Sequence, residues 1–229
     1  MWLDGFAELL FPRRCASCDA PGEVLCEECA LCLPLMARER SCTRCGAPLG
    51  DLGCSECAGR PLAFSQCRSV GLFMPPLSDL IVVYKDGGER RLTPVLGSLV
   101  VDRLAEWAEW SDGIVPVPAR PAARSTRGFD HMLGIARHVA ARTGIALQRP
   151  LVAGNAADQR LLGRDQRRAN AAGRYSVIPG VTCPRRPLLL DDVFTTGATL
   201  DACASVLVAS GAEEVRAAVI ARATDAKGT

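Results

Sequence analysis

The sequence predicts an α/β fold, a twisted and mainly parallel sheet with helices on both faces, preceded by a small cysteine-rich domain. From residue 67 onward, strand-like segments alternate with helical patterns, which is typical of parallel sheets with helical crossovers. Residues 187–200 run from an apolar strand through two acids and a Gly/Thr turn into a helical pattern. Residues 15–57 hold four CxxC pairs. We therefore expect two domains, an N-terminal helix with the cysteine-rich segment over 1–66 and the α/β domain over 67–229.

The composition is that of an ordinary globular protein. Of the 229 residues 48% are apolar, and the formal net charge is only +2, so the overall charge does not indicate a polyanionic partner. No segment approaches the ~18 consecutive apolar residues of a membrane span. The first residues carry Asp4 and Glu8 in an apolar stretch and lack a basic n-region, which predicts a short amphipathic helix ended by Pro12 rather than a secretory signal. We expect a cytoplasmic protein in a reducing compartment, with no membrane contact.

The four CxxC pairs predict zinc binding. A two-residue gap lets both thiolates of a pair face one metal ion, and two pairs complete a tetrahedral sulfur site. No ligand position is left open and no histidine lies nearby, so we expect structural zinc, one or two ions. The pairs are Cys15/Cys18, Cys26/Cys29, Cys42/Cys45 and Cys54/Cys57.

A disulfide framework and redox-active CxxC motifs are the alternatives to zinc. The missing secretory signal argues against the first, and the presence of four pairs argues against the second. The spacing is equally compatible with sequential pairing and with an interleaved arrangement, and one of the sites is allowed to be degenerate. The segment has too few large apolar residues to fold well without metal.

The α/β domain is predicted from a succession of short patterned segments. Helical spacing favours helices over 77–84 and 92–107, another ending near Arg142, and one starting at Leu200. We expect the strand that ends in three leucines to stop at the acids that follow it, and ARPAARSTRGFDHM to contain a loop. The strand patterns, in chain order, are CRSVGLF, residues 114–118, LQRPLVAG, RYSVI, residues 188–190 and EEVRAAVIAR.

The stretch PLLLDDVFTTGATL carries the chemistry on which the functional prediction depends. The free N–H groups and positive dipole end of a helix N-terminus bind anions, phosphate in particular. Thr195, Thr196 and Thr199 add hydroxyl donors, and Gly197 lets the backbone approach a ligand or take a positive φ. An ordinary βα turn with a threonine N-cap needs neither consecutive acids nor three threonines, so a phosphate site is favoured.

Asp191 and Asp192 lie just before this turn and need a different partner, because carboxylates repel phosphate. Ribose hydroxyls or a ligand-bound Mg²⁺ suit hard oxygen ligands. The combined prediction is a ribose-5-phosphate site.

Basic residues elsewhere are candidates for phosphate contacts. Lys85 ends an apolar run beside a double glycine, and a phosphate contact and a surface charge at a helix C-terminus are equally supported. Arg120, Arg124 and Arg127 follow a strand, where α/β sheets bind ligands, so they are pyrophosphate candidates, with solvated arginines as the alternative.

Residues 120–174 hold eleven arginines against three acids. Within them, the polar segment 154–172 is either a lid over phosphates or a basic patch for nucleic acid. His131 and His138 share a helix face but lack a third ligand, so packing or solvent exposure is expected for both.

The apolar run, acid pair and TTGAT loop resemble the phosphoribosyl-pyrophosphate (PRPP) motif of type I phosphoribosyltransferases. Together with the cysteine pairs, VPVP followed by RGF, and the QRLL…R…N segment, they make the chain resemble the ComF family, over nearly its whole length. Members of that family join a zinc-finger region to a type I phosphoribosyltransferase domain. The resemblance implies the same fold here, and some members are linked to natural competence for DNA uptake.

The resemblance also implies roles for individual residues. Asp191 and Asp192 correspond to the acids that contact the ribose 2′ and 3′ hydroxyls, and we take them as the catalytic candidates. The family pattern RGFNQ is altered at Asp130-His131, and R..N..GAF at Gly173-Arg174-Tyr175, both of which bear on the acceptor side. The substrate contacts expected are Thr195, Thr196, Gly197, Ala198 and Thr199 for the 5′-phosphate, with Lys85, Arg127 and Arg167 in addition.

The implied reaction is Mg²⁺-dependent transfer of ribose-5-phosphate, with pyrophosphate leaving C1 through an oxocarbenium-like state. Positioning and charge stabilisation carry such a reaction, so no separate nucleophile is required. Two alternatives involve no turnover. One is an adaptor for DNA uptake or processing that binds single-stranded DNA or a helicase partner, and the other is a PRPP-sensing regulator.

Overall fold

The structure is a computed structural model that describes residues 12–49, 53–154 and 174–224. The predicted N-terminal amphipathic helix lies outside the described residues, as do Arg167 and nearly all of the arginine-rich segment 154–172.

A four-stranded parallel sheet forms the centre of the α/β part. Its strands are β1 (Gln66–Leu72), β2 (Gly113–Pro116), β5 (Pro187–Phe194) and β6 (Arg216–Arg222), while β3 (Leu151–Ala153) and β4 (Tyr175–Val177) form a separate antiparallel pair. The order in the sheet is β1-β6-β5-β2, so β5 and β6 are the inner strands. Short apolar runs buried on both faces form these strands, as expected for a sheet covered on both sides.

Six α-helices lie in the described residues, and four of them pack on the sheet. The helices are α1 (Glu27–Leu31), α2 (Leu77–Lys85), α3 (Thr93–Leu104), α4 (Pro121–Arg127), α5 (His131–Thr143) and α6 (Ala198–Ala209). One face of the sheet is covered by α2, α3 and α5, whose apolar side chains meet Leu188 and Leu190 of β5. The other face is covered by α6 and by the second half of the cysteine-rich segment, which meet Leu189.

This topology confirms the predicted fold class, a parallel sheet with helices on both faces and a cysteine-rich region before it. Because β1 begins at Gln66, the predicted division at residue 66 falls at the start of the sheet. The assignment of two separate domains stays a prediction.

One local prediction is wrong. Strand β5 does not stop at the acids but continues to Phe194, because Asp191 and Val193 still lie in register beside Val219 and Ala221 of β6. The segment after β2 contains the expected loop residues and also the seven-residue helix α4, which Pro121 starts, consistent with the preference of proline for the first helical turn.

Candidate functional site

The candidate site lies where the inner strand β5 meets helix α6. The carboxyl end of a parallel strand is where α/β sheets bind ligands, and this one carries the acid pair and the turn predicted from sequence. We call residues 195–199 the threonine loop. Thr195, Thr196 and Ala198 are exposed, and Thr199 is half-buried.

Gly197 shapes the threonine loop. It precedes helix α6 with φ of +79°, in the left-handed region, and it has no side chain to cap the helix. A Cβ atom built at this position would lie 2.4 Å from Cζ of Phe194, so the ring of Phe194 fills the space that any side chain would need. Gly197 therefore gives α6 no side-chain cap, and the N–H of Ala198 makes only a long hydrogen bond, 3.4 Å, to Oγ1 of Thr196, which a bound anion would replace.

The two acids are buried, and their pKa values are driven apart. Burial and the neighbouring Asp192 charge raise the pKa of Asp191 to about 8. Burial acts on Asp192 as well, but the hydrogen bond from His131 and the charge and hydrogen bond of Lys85 outweigh it and hold the pKa of Asp192 below its usual range. At neutral pH the pair thus offers a protonated carboxyl that donates a hydrogen bond and a carboxylate that accepts them.

Asp192 is held by three protein donors. Its Oδ2 accepts from Nζ of Lys85 and from Nε2 of His131 at 3.1 Å, and its Oδ1 accepts from the N–H of Val193 at 2.7 Å. Lys85 lies in the last turn of α2, as one of the two alternatives expected, and it also pairs with Asp192, an acid 107 positions later. Its predicted phosphate contact stays a prediction.

Sequence reasoning missed His131 as a site residue. It is 6% exposed at the start of α5, where Asp130 caps the helix by accepting from the N–H of Leu133. Tyr84 donates to the carbonyl oxygen of His131 at 2.7 Å and fixes this helix end. The signal available was its place two residues after the RGF motif, since the spacing to His138 indicated nothing about Asp192.

The arginines predicted for pyrophosphate follow β2, as expected from the sequence. Arg127 pairs with Asp86 at 3.1 Å and is partly buried, and the side chain of Arg124 lies outside the described residues. A cleft of about 390 Å³ follows β2 and is bordered by Pro118, Asp130 and Arg149. One of its lining residues, Asp130, directly precedes His131 in the chain. The cleft therefore lies beside the segment after β2 for which the sequence predicts pyrophosphate contacts.

The cysteines form two separate clusters, and this settles the pairing in favour of the sequential arrangement. Within each, the four Sγ atoms lie within 4.8 Å of one another. Measured Sγ to Sγ distances are 3.5 to 3.7 Å. A tetrahedron with Zn–S bonds of about 2.3 Å has edges of about 3.8 Å, so both clusters fit zinc. The first cluster is Cys15, Cys18, Cys26 and Cys29, and the second cluster is Cys42, Cys45, Cys54 and Cys57.

One thiol in each cluster has a lowered pKa. Burial raises the pKa of Cys15, but backbone N–H groups, among them that of Cys26, donate to its sulfur and lower the value to about 6. The same opposition lowers the pKa of Cys54 to about 7. Each cluster thus contains one sulfur predisposed to be the thiolate that zinc requires.

Among curated proteins the chain is similar to competence and DNA-utilization proteins. It is 26% identical to Competence protein ComFC of Streptococcus pneumoniae, over 92% of this chain and 90% of that protein. It is also 26% identical to DNA utilization protein YhgH of Salmonella typhi (91% and 96% covered) and to Competence protein F of Haemophilus influenzae (93% and 98%). No family model matches the chain.

Among solved structures the similarities are weaker and cover part of the chain. The glutamine PRPP amidotransferase of B. subtilis matches with a TM-score of 0.41 and 19% identity, over 56% of this chain and 25% of that one. A purine phosphoribosyltransferase of Pyrococcus horikoshii matches with a TM-score of 0.37 and 20% identity, over 57% and 73%. In the described residues no helix is both long and apolar enough to cross a membrane. The similarity to curated competence and DNA-utilization proteins, which extends over nearly the whole chain, confirms the predicted resemblance to the ComF family.

Proposed function

We propose that this protein binds PRPP and transfers its ribose-5-phosphate to an acceptor with release of pyrophosphate. The observation that carries the proposal is the adjacency of a buried acid pair with opposed pKa shifts and a glycine-started, uncapped helix, at the carboxyl end of one inner strand. The first suits sugar hydroxyls and the second suits a phosphate monoester.

In the proposed complex the threonine loop holds the 5′-phosphate. The first-turn N–H groups of α6 and the hydroxyls of Thr195, Thr196 and Thr199 are the donors. The acids then meet the 2′ and 3′ hydroxyls. Protonated Asp191 donates to one sugar oxygen, while Asp192 accepts from the other hydroxyl and is kept ionised by Lys85 and His131.

The chemical step breaks the bond between ribose C1 and the pyrophosphate oxygen and forms a bond from C1 to the acceptor, which gives up a proton. Positive charge develops on the sugar ring, and the ionised Asp192 nearby stabilises it. Both oxygens of Asp192 already accept from protein donors, so we expect Mg²⁺ to arrive with the pyrophosphate, where it neutralises the leaving group. The cleft beside Arg149 is the proposed place for that leaving group.

Calorimetry with PRPP and Mg²⁺ tests this proposal. We expect the wild type to bind and the Asp191→Asn/Asp192→Asn double variant to bind at least about tenfold more weakly, since two hydrogen-bonding partners of the sugar are altered. Absence of binding, or equal binding by both proteins, contradicts the proposal. Pyrophosphate release during incubation with candidate nucleobases then separates an enzyme from a PRPP sensor.

The second candidate function is a DNA-processing adaptor without turnover, favoured by the names of the curated relatives, Competence protein and DNA utilization protein. Here the cysteine-rich region and the basic segment would contact single-stranded DNA or a helicase-like partner. Direct DNA binding must weaken steeply with salt, because phosphate contacts release counterions. Fluorescence anisotropy with labelled single-stranded DNA at several salt concentrations measures this, and undetectable or salt-independent binding argues against it. For either function we propose a reducing, cytoplasmic setting that keeps the clustered thiols available to zinc.

A further inference from the structure

We propose that the second cysteine cluster positions the threonine loop, through Arg222 and Arg60, so that metal at this cluster supports binding of the sugar phosphate. The ligand named in this inference rests on the proposed function. The positioning of the threonine loop by the second cluster can be tested without any ligand. Arg222 and Arg60 are positioning residues in this account, because neither needs to touch the ligand.

Arg222 is the centre of the connection. Although charged, it is only 1% exposed, at the end of β6. One of its guanidinium nitrogens donates to the carbonyl oxygens of Phe194 at 3.2 Å and Thr195 at 2.6 Å, the residues that lead from β5 into the threonine loop. The guanidinium also stacks on the ring of Phe194 at 3.9 Å from its centroid. The planar fork therefore fixes both the backbone and the ring against which Gly197 packs.

The charge partner of Arg222 is a residue in the chain segment between two cysteines of the second cluster. Nη2 of Arg222 donates to Glu56 at 3.2 Å, and Glu56 is one of the two residues between the ligands Cys54 and Cys57. A metal ion that holds both cysteines fixes the turn between them, and so fixes the carboxylate that a buried guanidinium requires.

Arg60 makes a second, parallel connection. Its guanidinium donates to the carbonyl oxygen of Thr196 at 2.8 Å and to that of Glu56 at 3.3 Å. Three residues later, the N–H of Ala63 donates to Asp201 in the first turn of α6 at 2.7 Å. The carbonyl groups of Thr195 and Thr196 are thus held by arginines on the side of the second cluster.

The first cluster provides a matched comparison. Its segment contacts the other face of the sheet domain, through the hydrogen bond from Ser17 to Asp79 of α2 and through Ala16, Val24 and Leu25, which pack against the core there, away from the threonine loop. Arg14, in the same cluster segment, forms an exposed ion pair with Asp19. Loss of Arg14 therefore removes a surface arginine of a cysteine-rich turn without touching the proposed connection.

The test uses zinc-loaded full-length protein and the variants Glu56→Gln, Arg60→Ala and Arg222→Lys, with Arg14→Ala as control. Amide hydrogen exchange of residues 195–199 is the primary measurement, since it reads the loop without any ligand. We expect faster exchange there in Glu56→Gln and Arg60→Ala, and an unchanged rate in Arg14→Ala, at equal zinc content. Loop exchange identical to wild type in both of those variants overturns the proposal.

Calorimetry with ribose-5-phosphate is the second measurement. We expect about fivefold weaker binding by Arg60→Ala and Glu56→Gln, since the donors are displaced but not removed. Arg222→Lys keeps the charge but not the fork, so we expect it to weaken binding by about the same factor. If the wild type does not bind ribose-5-phosphate, the proposed function fails, while the exchange data still decide the positioning role. If Arg60→Ala and Glu56→Gln both bind ribose-5-phosphate with wild-type affinity, the proposed link between the second cluster and the ligand is contradicted.

Discussion

At the residue scale, Gly197 combines two constraints that no other residue type meets. Its φ is +79°, and the ring of Phe194 occupies the volume of a Cβ atom. The threonines around it supply hydroxyls, but the backbone path that exposes the helix N-terminus depends on this glycine.

We expect Gly197→Ala to lower the free energy of unfolding by about 1–3 kcal/mol through backbone strain and the clash with Phe194. Binding of ribose-5-phosphate should fall about tenfold or more, because the loop must move. Gly144→Ala is the control: Gly144 has φ of +76° at the end of α5 but nothing within 4 Å of its added Cβ. Chemical denaturation measures the free energy of unfolding of both variants. Equal losses of stability would show that backbone strain explains the effect and that the clash with Phe194 adds nothing.

The acid pair predicts two opposite dependences of stability on pH. The pKa of Asp191 is raised in the folded protein, so its stabilising contribution is complete below the unfolded pKa and is lost as pH rises toward about 8. The pKa of Asp192 is lowered, so its contribution is present above the unfolded pKa and is lost in acid.

Denaturation of Asp191→Asn across the pH range tests the first of these. Its stability relative to wild type should rise between about pH 5 and about pH 8, by up to about 1.4 kcal/mol per pH unit. The companion variant Asp192→Asn should show its difference from wild type shrink at acid pH instead. A stability difference for Asp191→Asn that does not change with pH contradicts the assigned protonation state.

At the scale of elements, β5 shows why the sequence predicts the location of the candidate site better than the end of the strand that carries it. Consecutive acids normally end a strand pattern, but the pairing with β6 continues past them, because register depends on a neighbouring strand far away in sequence. The same limit applies to Lys85 and His131, whose meeting with Asp192 requires α2 and α5 to pack on one face of the sheet. Local patterns contain no signal for such long-range contacts.

The two cysteine clusters differ in how they join the fold, and this gives a prediction. Cys45 is 1% exposed and shares a core with Leu189 and Val219, whereas Cys18 is exposed. We expect Cys45→Ser to lower the stability of the sheet domain by about 2 kcal/mol or more, and Cys18→Ser to lower it less. Thermal unfolding monitored by the near-ultraviolet signal of Trp107 and Trp110 checks this. Equal effects would mean that the second cluster does not support the sheet.

Removal of the metal by a chelator should likewise affect the stability of the sheet domain mainly through the second cluster. Removal of zinc from the second cluster frees the turn around Glu56, and we expect a lower unfolding temperature for the whole sheet domain rather than for the cysteine-rich region alone. An unchanged transition of the sheet domain after complete zinc removal contradicts that coupling. Restoration of the original transition by added zinc is the control for irreversible damage.

At the scale of the whole molecule, the features that the sequence predicts correctly are those whose residues lie close together along the chain. Spacing of cysteine pairs, the order of strand, acids, glycine and helix, and the alternation of elements each lie within a few tens of residues, and all appear in the structure. The sequential pairing of the clusters, the antiparallel pair β3 and β4, and the buried Arg222 depend on tertiary contacts. An arginine at the end of an apolar strand was the one signal that pointed toward Arg222.

The molecule therefore joins the second cysteine cluster, for which we propose zinc, to the threonine loop, for which we propose a sugar phosphate. Glu56, Arg222 and Phe194 form a continuous set of contacts from cysteine ligands to the threonine loop. The full-length similarity to competence and DNA-utilization proteins indicates that both regions occur together in its relatives.

The structure of the zinc-loaded protein with bound PRPP and Mg²⁺ tests the central claim most directly. The account predicts the 5′-phosphate against the N–H groups and hydroxyls of residues 195–199, and the ribose hydroxyls within hydrogen-bonding distance of Asp191 and Asp192. A ligand bound elsewhere, or a threonine loop whose N–H groups are occupied by protein side chains in the complex, would contradict it.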